Sequence, residues 1–279
     1  MDKVGKDGVI TVEEGSGLKD ELKVVKGFQY GKGYIAPHFV TNESKMEVNF
    51  ENPFILLRDK TISNLKEVLP ILEKTHEAGK PLLIIAPGVD GEALQALVVN
   101  KVKGGLQVAA VESPGFGDLA KATLEDIAIL TGGVVISDSE GLSLEMCDIG
   151  QLGQAEKVIV SKDSTTIVGG FSSELELLER TESLREQIKD ETDDLEKGIL
   201  KERLAKLSGG IAIIKVGAAT QVAMKEKKDR YDDALHATRA AVEEGIVLGG
   251  GTALIRALPS LDNVEVDNED QKHGVNIIR

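Results

Sequence analysis

Short apolar runs alternate along the chain with longer segments whose apolar residues recur every three or four positions. The runs at 54–57, 81–86 and 108–111 have the length of strands. The segments between them, 61–79 and 90–104, have helical spacing, and both end at glycine. Continuous apolar strands separated by helices are typical of parallel sheets that are covered on both faces. The pattern therefore predicts an α/β fold with central β-sheets flanked by helices.

The same patterns predict the remaining elements. Further strands are predicted at 1–25, 134–137, 158–160, 165–168 and 211–216. Further helices are predicted at 123–130 and 220–245, and an acidic loop at 259–272.

The segment 173–207 is highly charged and carries apolar residues at helical spacings of three, four and seven. The acidic run at 190–194 and Gly198 interrupt this pattern. The segment is therefore predicted to form two antiparallel helices instead of one long helix.

The helices predicted at 61–79 and 90–104 are apolar over more of their circumference than a core contact requires. A surface helix needs an apolar stripe only about 100° wide. The wider arcs consist of Ile62, Leu65, Val68, Leu69, Ile71 and Leu72 in the first helix, and of Ala93, Leu94, Leu97, Val98, Val99 and Val102 in the second. Either the two helices form a groove for apolar partners, or both are sandwiched inside the fold. Pro70 removes a backbone donor and is expected to bend the first helix.

Composition excludes several classes of protein. The 279 residues carry a formal net charge of −14, which argues against a general binder of nucleic-acid phosphates. Aromatic residues make up only 3% of the chain, so its core is predicted to consist mainly of aliphatic side chains. The single cysteine, Cys147, excludes an intramolecular disulfide, and we expect a buried, inert thiol in a reducing compartment. No apolar run reaches the roughly 20 residues of a membrane span.

Few residues have the spacing that catalytic or metal sites require. The four histidines, His38, His76, His236 and His273, lack metal-binding motifs, so no metal site is predicted. Gly249-Gly250-Gly251 lies between an apolar run and a helix, a place where phosphates bind, yet it matches neither common glycine-rich phosphate motif. The polar start and the apolar end of the sequence are expected of a segment of a longer protein.

Several motifs together resemble the group I chaperonins, the GroEL-like proteins of bacteria, mitochondria and chloroplasts. These motifs occur in family order at 33–39, 80–86, 91–100, 114–118, 205–210, 215–219, 233–245 and 249–251. The resemblance covers essentially the whole chain. The segments 244–248 and 268–272 look closest to mitochondrial members, which implies the mitochondrial matrix, with the bacterial cytoplasm as the alternative.

The resemblance implies an ATP-dependent protein-folding chaperone whose apical domain, 26–211, binds non-native polypeptides and the co-chaperonin lid. Residues 1–25 and 212–244 correspond to a small α+β intermediate domain, and 245–279 to the start of the returning equatorial segment. The family's positions for clients and lid carry over to Tyr34, Phe39, Leu69, Leu72, Leu94, Val98 and Val99. Five of these lie on the two helices with surplus apolar surface.

The resemblance also implies ATP and Mg²⁺ as cofactors of the intact parent, and a heptameric ring. Asp233 corresponds to the acidic residue that positions the attacking water, and Gly249 and Gly250 to the glycines at the nucleotide. Because the family's phosphate-binding loop and equatorial aspartates are not in this sequence, the chain alone is expected to lack ATPase activity. It is also expected to be mostly monomeric, since the family's main ring contacts are equatorial.

The sequence departs from the family pattern at several charged positions. His38 replaces a usual Tyr, and Glu112 replaces a common Lys. Pro87-Gly88 and Leu119-Ala120 replace an acidic and a basic pair. Lys32 and Gln221 occupy positions where bacterial members form an ion pair between subunits, so the cooperativity of a ring is not expected to be identical.

Two other functions compete with the chaperone interpretation. One is an intact ATP-hydrolysing enzyme that completes its nucleotide site in another way. The other is an α/β metabolic enzyme with a phosphate loop at 249–251, which the lack of acid–base residues around that loop disfavours.

Overall fold

The computed structural model of the chain describes residues 9–15 and 17–279, which divide into two compact units. The boundary falls between Met224 and Lys225. The strands are β1 (Val9–Glu14), β2 (Glu21–Tyr30), β3 (Val48–Glu51), β4 (Phe54–Arg58), β5 (Leu82–Ala86), β6 (Val108–Glu112), β7 (Val135–Ile136), β8 (Gly153–Val160), β9 (Thr165–Gly170) and β10 (Gly210–Val216). The α-helices are α1 (Leu65–Glu77), α2 (Gly91–Gly104), α3 (Gly117–Thr131), α4 (Glu174–Asp190), α5 (Asp194–Ser208), α6 (Gln221–Glu244), α7 (Thr252–Ala257) and α8 (Glu269–Ile278).

Neighbouring strands of the first unit follow the order β1-β10-β2-β9-β8-β4-β5-β6, with β3 paired to β8 and β7 paired to β4. The pairs β4–β5, β5–β6 and β4–β7 are parallel, as the apolar runs predict. All residues of β4 and β5 are buried, and aliphatic side chains dominate the core around them. The predicted α/β class, a sheet flanked by helices, is confirmed.

The connections between the parallel strands decide which helices are neighbours. The chain passes from β4 to β5 to β6 in one direction across the sheet, so right-handed crossovers put α1 and α2 on the same face. The return from β6 to β7 runs the other way, so the same rule puts α3 on the opposite face. Consistent with this arrangement, α1 contacts α2, whereas α3 contacts α4 and α5.

Strand β2 changes its partner part-way along its length. Residues up to Lys26 pair with β10, and those from Gly27 pair with β9. A Cβ atom added at Gly27 would lie 2.2 Å from the Ile211 side chain and 2.6 Å from the carbonyl oxygen of Ile167. Glycine is therefore required where the strand passes from one pairing to the next.

Two helices begin at other residues than the sequence predicts. Helix α1 begins at Leu65 instead of 61, because Ile62 pairs with Val89 and Asn64 caps the helix by accepting a hydrogen bond from the Lys66 amide. Pro70 lies within the uninterrupted α1. Helix α3 begins at Gly117, six residues before the prediction, and its first two residues, Gly117 and Asp118, are solvent-exposed. These two residues add nothing to the apolar periodicity, so the pattern alone could not predict where the helix begins.

The predicted pair of helices in 173–207 is confirmed as α4 and α5, which contact each other. The interruption falls at 191–193, where the Asp193 carboxylate accepts hydrogen bonds from the amides of Leu195 and Glu196 and so caps α5. Gly198 lies inside α5 and does not end a helix.

The second unit contains α7, α8 and most of α6. Residues 259–272 are not a continuous loop, because a 3-10 helix covers Leu258–Asn263 and α8 begins at Glu269. The Asn268 side chain accepts a hydrogen bond from the Gln271 amide and caps α8. Asn268 is a helix-start signal in the sequence, but the acidic composition around it favours the prediction of a loop. In residues 9–15 and 17–279, the helices are too short or too polar to cross a membrane.

Candidate functional site

Helices α1 and α2 begin side by side at the carboxyl ends of the parallel strands β4 and β5. The Asp90 amide donates to the carbonyl oxygen of Ile62 at 3.0 Å, and the Ala93 amide donates to that of Ser63 at 3.1 Å. These bonds join the segment before α1 to the first turn of α2. Because each helix follows one of two parallel neighbouring strands, α1 and α2 run in the same direction along one face of the sheet.

Each helix has a buried apolar stripe and a second apolar stripe that reaches solvent. Val68, Ile71 and Leu72 of α1 and Ala93 and Leu97 of α2 are buried in the core. On the outer side Leu69 is 42% exposed, Val99 48% and Val102 65%. The two helices are therefore not sandwiched inside this chain, and the wide arcs correspond to real apolar surface.

The structure divides the seven predicted contact residues into three groups. Leu69 and Val99 are exposed, whereas Tyr34, Leu94 and Val98 are partly buried against the core. Leu72 is almost completely buried, and Phe39 has no exposed surface. These two side chains lie beneath the surface that a ligand would meet first.

Val102 is a surface residue that the predicted contact set omits. It is more exposed than any of the seven predicted residues and lies one turn beyond Val98 and Val99 on α2. The helical arc in the sequence already included it, so periodicity was the signal that could have added Val102 to the set.

The segment that carries Tyr34 and Phe39 connects β2 to β3 and is held to the sheet. The Tyr34 amide donates to the Ser161 carbonyl oxygen at 3.2 Å, and the Ile35 amide to that of Ala110 at 2.9 Å. The Thr165 hydroxyl donates to the Lys32 carbonyl oxygen at 2.7 Å. These bonds attach the first half of the segment to β6 and to the turn between β8 and β9.

The second half of this segment is a 3-10 turn, Pro37–Phe39, which contacts α2. The Lys101 ammonium of α2 donates to the carbonyl oxygens of Phe39, at 2.5 Å, and Val40, at 3.0 Å. Partial burial lowers the pKa of Lys101. His38, which departs from the family pattern, is exposed on this turn.

The charged departures from the family pattern make contacts of their own. The ammonium of Lys32 lies 2.9 Å from the Glu112 carboxylate and 5.4 Å from the centre of the exposed Phe116 ring. Lys32 is thus paired within the chain. On α3, Leu119 is partly buried and Ala120 is buried, so these two positions serve packing.

The predicted nucleotide residues lie in the second unit. Asp233 is exposed in the middle of α6, and Gly249 and Gly250 are exposed before the six-residue α7. Gly250 has a φ of +64°, but a Cβ atom at either glycine would meet no neighbouring atom. No hydrogen bond among the described residues joins Asp233 to these glycines. The residues present do not by themselves enclose a nucleotide.

Other reactive side chains show no sign of a second site. In the described ranges, no three His, Cys, Asp or Glu side chains gather in the manner of metal ligands. The predicted burial of Cys147 is confirmed, and desolvation raises the pKa of its thiol to about 11 although Lys74 opposes this rise. A thiol with this pKa remains protonated and unreactive near neutral pH.

The model of the TCP-1/cpn60 chaperonin family matches residues 1–279. The match agrees with the α/β architecture. This chain therefore belongs to the TCP-1/cpn60 chaperonin family, whose members are protein-folding chaperones that assemble into oligomeric rings.

Proposed function

We propose that the chain binds non-native polypeptides through the apolar surface of α1 and α2. The observation that carries this proposal is the solvent exposure of aliphatic side chains on two adjacent helices, Leu69 on one and Val99 and Val102 on the other. Unfolded chains have in common that they expose apolar groups, and such groups bind to aliphatic surface without a sequence code. The partly buried Tyr34, Leu94 and Val98 extend this surface toward the core.

Apolar burial supplies the free energy of such capture. Each burial of about 100 Å² of apolar surface contributes about 2.5 kcal/mol before the entropic costs of association are subtracted. Phe39 is fully buried and Leu72 almost fully buried, so these two side chains support the loop and α1 from the core.

Within this proposal the protein is a group I chaperonin of mitochondrial type, located in the mitochondrial matrix, with a bacterial cytoplasmic protein as the alternative. Its ring is heptameric, and a co-chaperonin lid binds the same apolar surface as the client. A lid-loop peptide is then expected to displace a bound client from the chain. A peptide that leaves the client bound would contradict the shared surface.

We extend the proposal to ATP dependence of the assembled protein, with Asp233, Gly249 and Gly250 in its nucleotide site. This extension is supported by the resemblance at those positions and by membership of the chaperonin family. Calorimetric titration of the 279-residue chain with ATP and Mg²⁺ tests it against the intact-enzyme alternative. Weak or undetectable binding is expected for the chain alone, and tight binding with turnover would favour the enzyme.

The double variant Leu69→Ser/Val99→Ser tests the client surface. A permanently unfolded, fluorescein-labelled protein such as reduced carboxymethylated α-lactalbumin is titrated with the chain, and binding is followed by fluorescence anisotropy. We expect the affinity to fall at least about tenfold, because each aliphatic side chain contributes about 1.5–3 kcal/mol when fully buried.

The matched control is Leu178→Ser/Val134→Ser, which removes one leucine and one valine of similar exposure outside α1 and α2. We expect this control to bind the client as the unaltered chain does. Equal loss of affinity in both variants would show that binding is a property of apolar surface in general and would place no client site on α1 and α2.

A further inference from the structure

Lys101 occupies a position on α2 where the helical pattern expects an apolar residue. Ala93 and Leu97 are buried, and Lys101 follows them at the same spacing of four residues, on the same side of the helix. Its side chain is partly buried at this position. A charged group that continues a buried stripe loses hydration, so its retention requires hydrogen-bond partners that compensate for the loss.

The partners of Lys101 are two successive carbonyl groups of one loop. Its ammonium donates to the oxygens of Phe39 and Val40, both at the end of the 3-10 turn Pro37–Phe39. The described backbone hydrogen bonds of this turn are internal: the Phe39 amide donates to Ala36 and the Val40 amide to Pro37. Lys101 therefore supplies the polar connection from α2 to the turn.

The buried Phe39 ring supplies the apolar connection at the same place. Phe39 belongs to the main core cluster and has no exposed surface. Apolar burial resists separation of the turn from the sheet but does not direct it. Two charge-assisted hydrogen bonds from one ammonium do have direction, so they determine where the turn lies along α2.

We propose that Lys101 is a positioning residue that holds the Tyr34–Phe39 loop against the last turn of α2, so that loop and helix present one continuous client surface. Val98 lies one turn before Lys101 on α2, so Lys101 holds the loop beside a residue of the surface assigned above. This inference rests on the proposed function. It states that a charged residue determines how the parts of an apolar site are arranged. Lys101 itself is not required to touch the client.

The test compares Lys101→Met, which keeps the aliphatic stem and removes the ammonium, with Lys101→Arg, which restores a cation. Lys103→Met is the matched control, because Lys103 is exposed in the same helical turn. Lys101→Gln is a second variant without the charge, in case the methionine alters packing. Thermal unfolding is recorded for each variant to confirm that it is folded.

Two measurements are made on the full 279-residue chain. Hydrogen exchange followed by mass spectrometry reports on the amides of Phe39 and Val40, and anisotropy of labelled carboxymethylated α-lactalbumin reports on client affinity. For Lys101→Met and Lys101→Gln we expect exchange at these amides at least about tenfold faster and client affinity at least about tenfold weaker, as loss of the two charge-assisted hydrogen bonds predicts. Lys101→Arg and Lys103→Met are expected to stay within about twofold of the unaltered chain.

The two measurements separate this inference from the proposed function. Unchanged exchange and unchanged affinity in Lys101→Met would overturn the positioning role while leaving the client surface intact. Faster exchange with unchanged affinity would also overturn it, since the loop would then be irrelevant to binding. If the unaltered chain fails to bind the client, the proposed function is wrong, and the positioning role falls with it even if exchange shows that Lys101 holds the loop.

Discussion

The two faces of the parallel sheet carry apolar helices, but in the described residues only one face has a second layer of α-helices over the first. On one face α3 contacts both α4 and α5, and eight of its fifteen residues are buried. On the other face only two of the fourteen residues of α2 are buried, and its second apolar stripe reaches solvent. The apolar content of a helix therefore does not determine its exposure; the presence of a covering layer does.

The covered face is held by a buried ion network. The Asp126 carboxylate of α3 has no exposed surface and accepts from Arg180 of α4 at 2.8 Å and from Arg203 of α5 at 2.8 and 3.0 Å. Both arginines also donate to the carbonyl oxygen of Ala122. One carboxylate thus ties both covering helices to α3, whereas the described contacts of α1 and α2 outside the sheet are with each other and with short 3-10 turns.

The largest loss of stability is expected for Asp126→Ala, which removes the carboxylate that joins the covering helices to α3. The change leaves two arginines without their main partner, one of them largely buried, so we expect the free energy of unfolding to fall by about 3–5 kcal/mol. Urea denaturation followed by circular dichroism measures the change. Glu125→Ala is the control, because Glu125 pairs with Arg180 at the surface, and its removal is expected to cost less than about 1 kcal/mol. A similar loss in both variants would contradict the role assigned to Asp126.

A smaller loss of stability is expected for substitutions within α2. Leu97 belongs to the buried apolar stripe of this helix, and Val99 belongs to the stripe that reaches solvent. Leu97→Ala removes a buried side chain, so the free energy of unfolding is expected to fall by about 2–4 kcal/mol while client affinity persists. Val99→Ala is expected to change stability by less than about 0.5 kcal/mol and to weaken client binding. Urea denaturation and client anisotropy measure the two quantities on each variant. If Val99→Ala destabilises as strongly as Leu97→Ala, the outer stripe is part of the core.

The smallest effect is expected at the exposed ion pair of Lys32 and Glu112, which lies beside the loop that carries Tyr34. A double-mutant cycle with Lys32→Met and Glu112→Gln is expected to give a coupling free energy of about 0.2–1 kcal/mol. The coupling should decrease in 1 M salt, because exposed charges are screened. A coupling energy near that of the Asp126 network would mean that this loop is fastened as firmly as the covered face.

Much of the fold follows from the sequence because buried parallel strands and helical periodicity are local patterns. The runs at β4, β5 and β6, the arcs of α1 and α2, and the break between α4 and α5 are all visible in it. The solvent exposure of an apolar residue on a helix is not a local pattern. It depends on whether residues far along the chain form a layer over that helix. For α3 that layer begins more than forty residues after the helix ends.

The residues that organise the site are also hard to predict, for reasons specific to each. Phe39 lies in a loop-rich segment without periodicity, so nothing in its neighbourhood indicates complete burial. Asp126 is a buried charged residue and Lys101 a partly buried one, whereas charged residues usually lie at the surface. Their partners are backbone carbonyls and side chains from other elements, and only the folded chain brings these groups together.

The change of partner in β2 has a mechanical consequence. Among the described strands, β2 alone connects β1 and β10 to the remainder of the sheet. Its two pairings adjoin at Lys26 and Gly27, so the backbone hydrogen bonds to β10 end where those to β9 begin. A methyl group at Gly27 would clash with Ile211 and Ile167 at that junction. The hydrogen-bonded backbone that joins the two parts of the sheet therefore narrows to one peptide segment that tolerates no side chain, and side-chain packing of Val168 with Ile211 and Ile213 has to supply the remaining resistance to their separation.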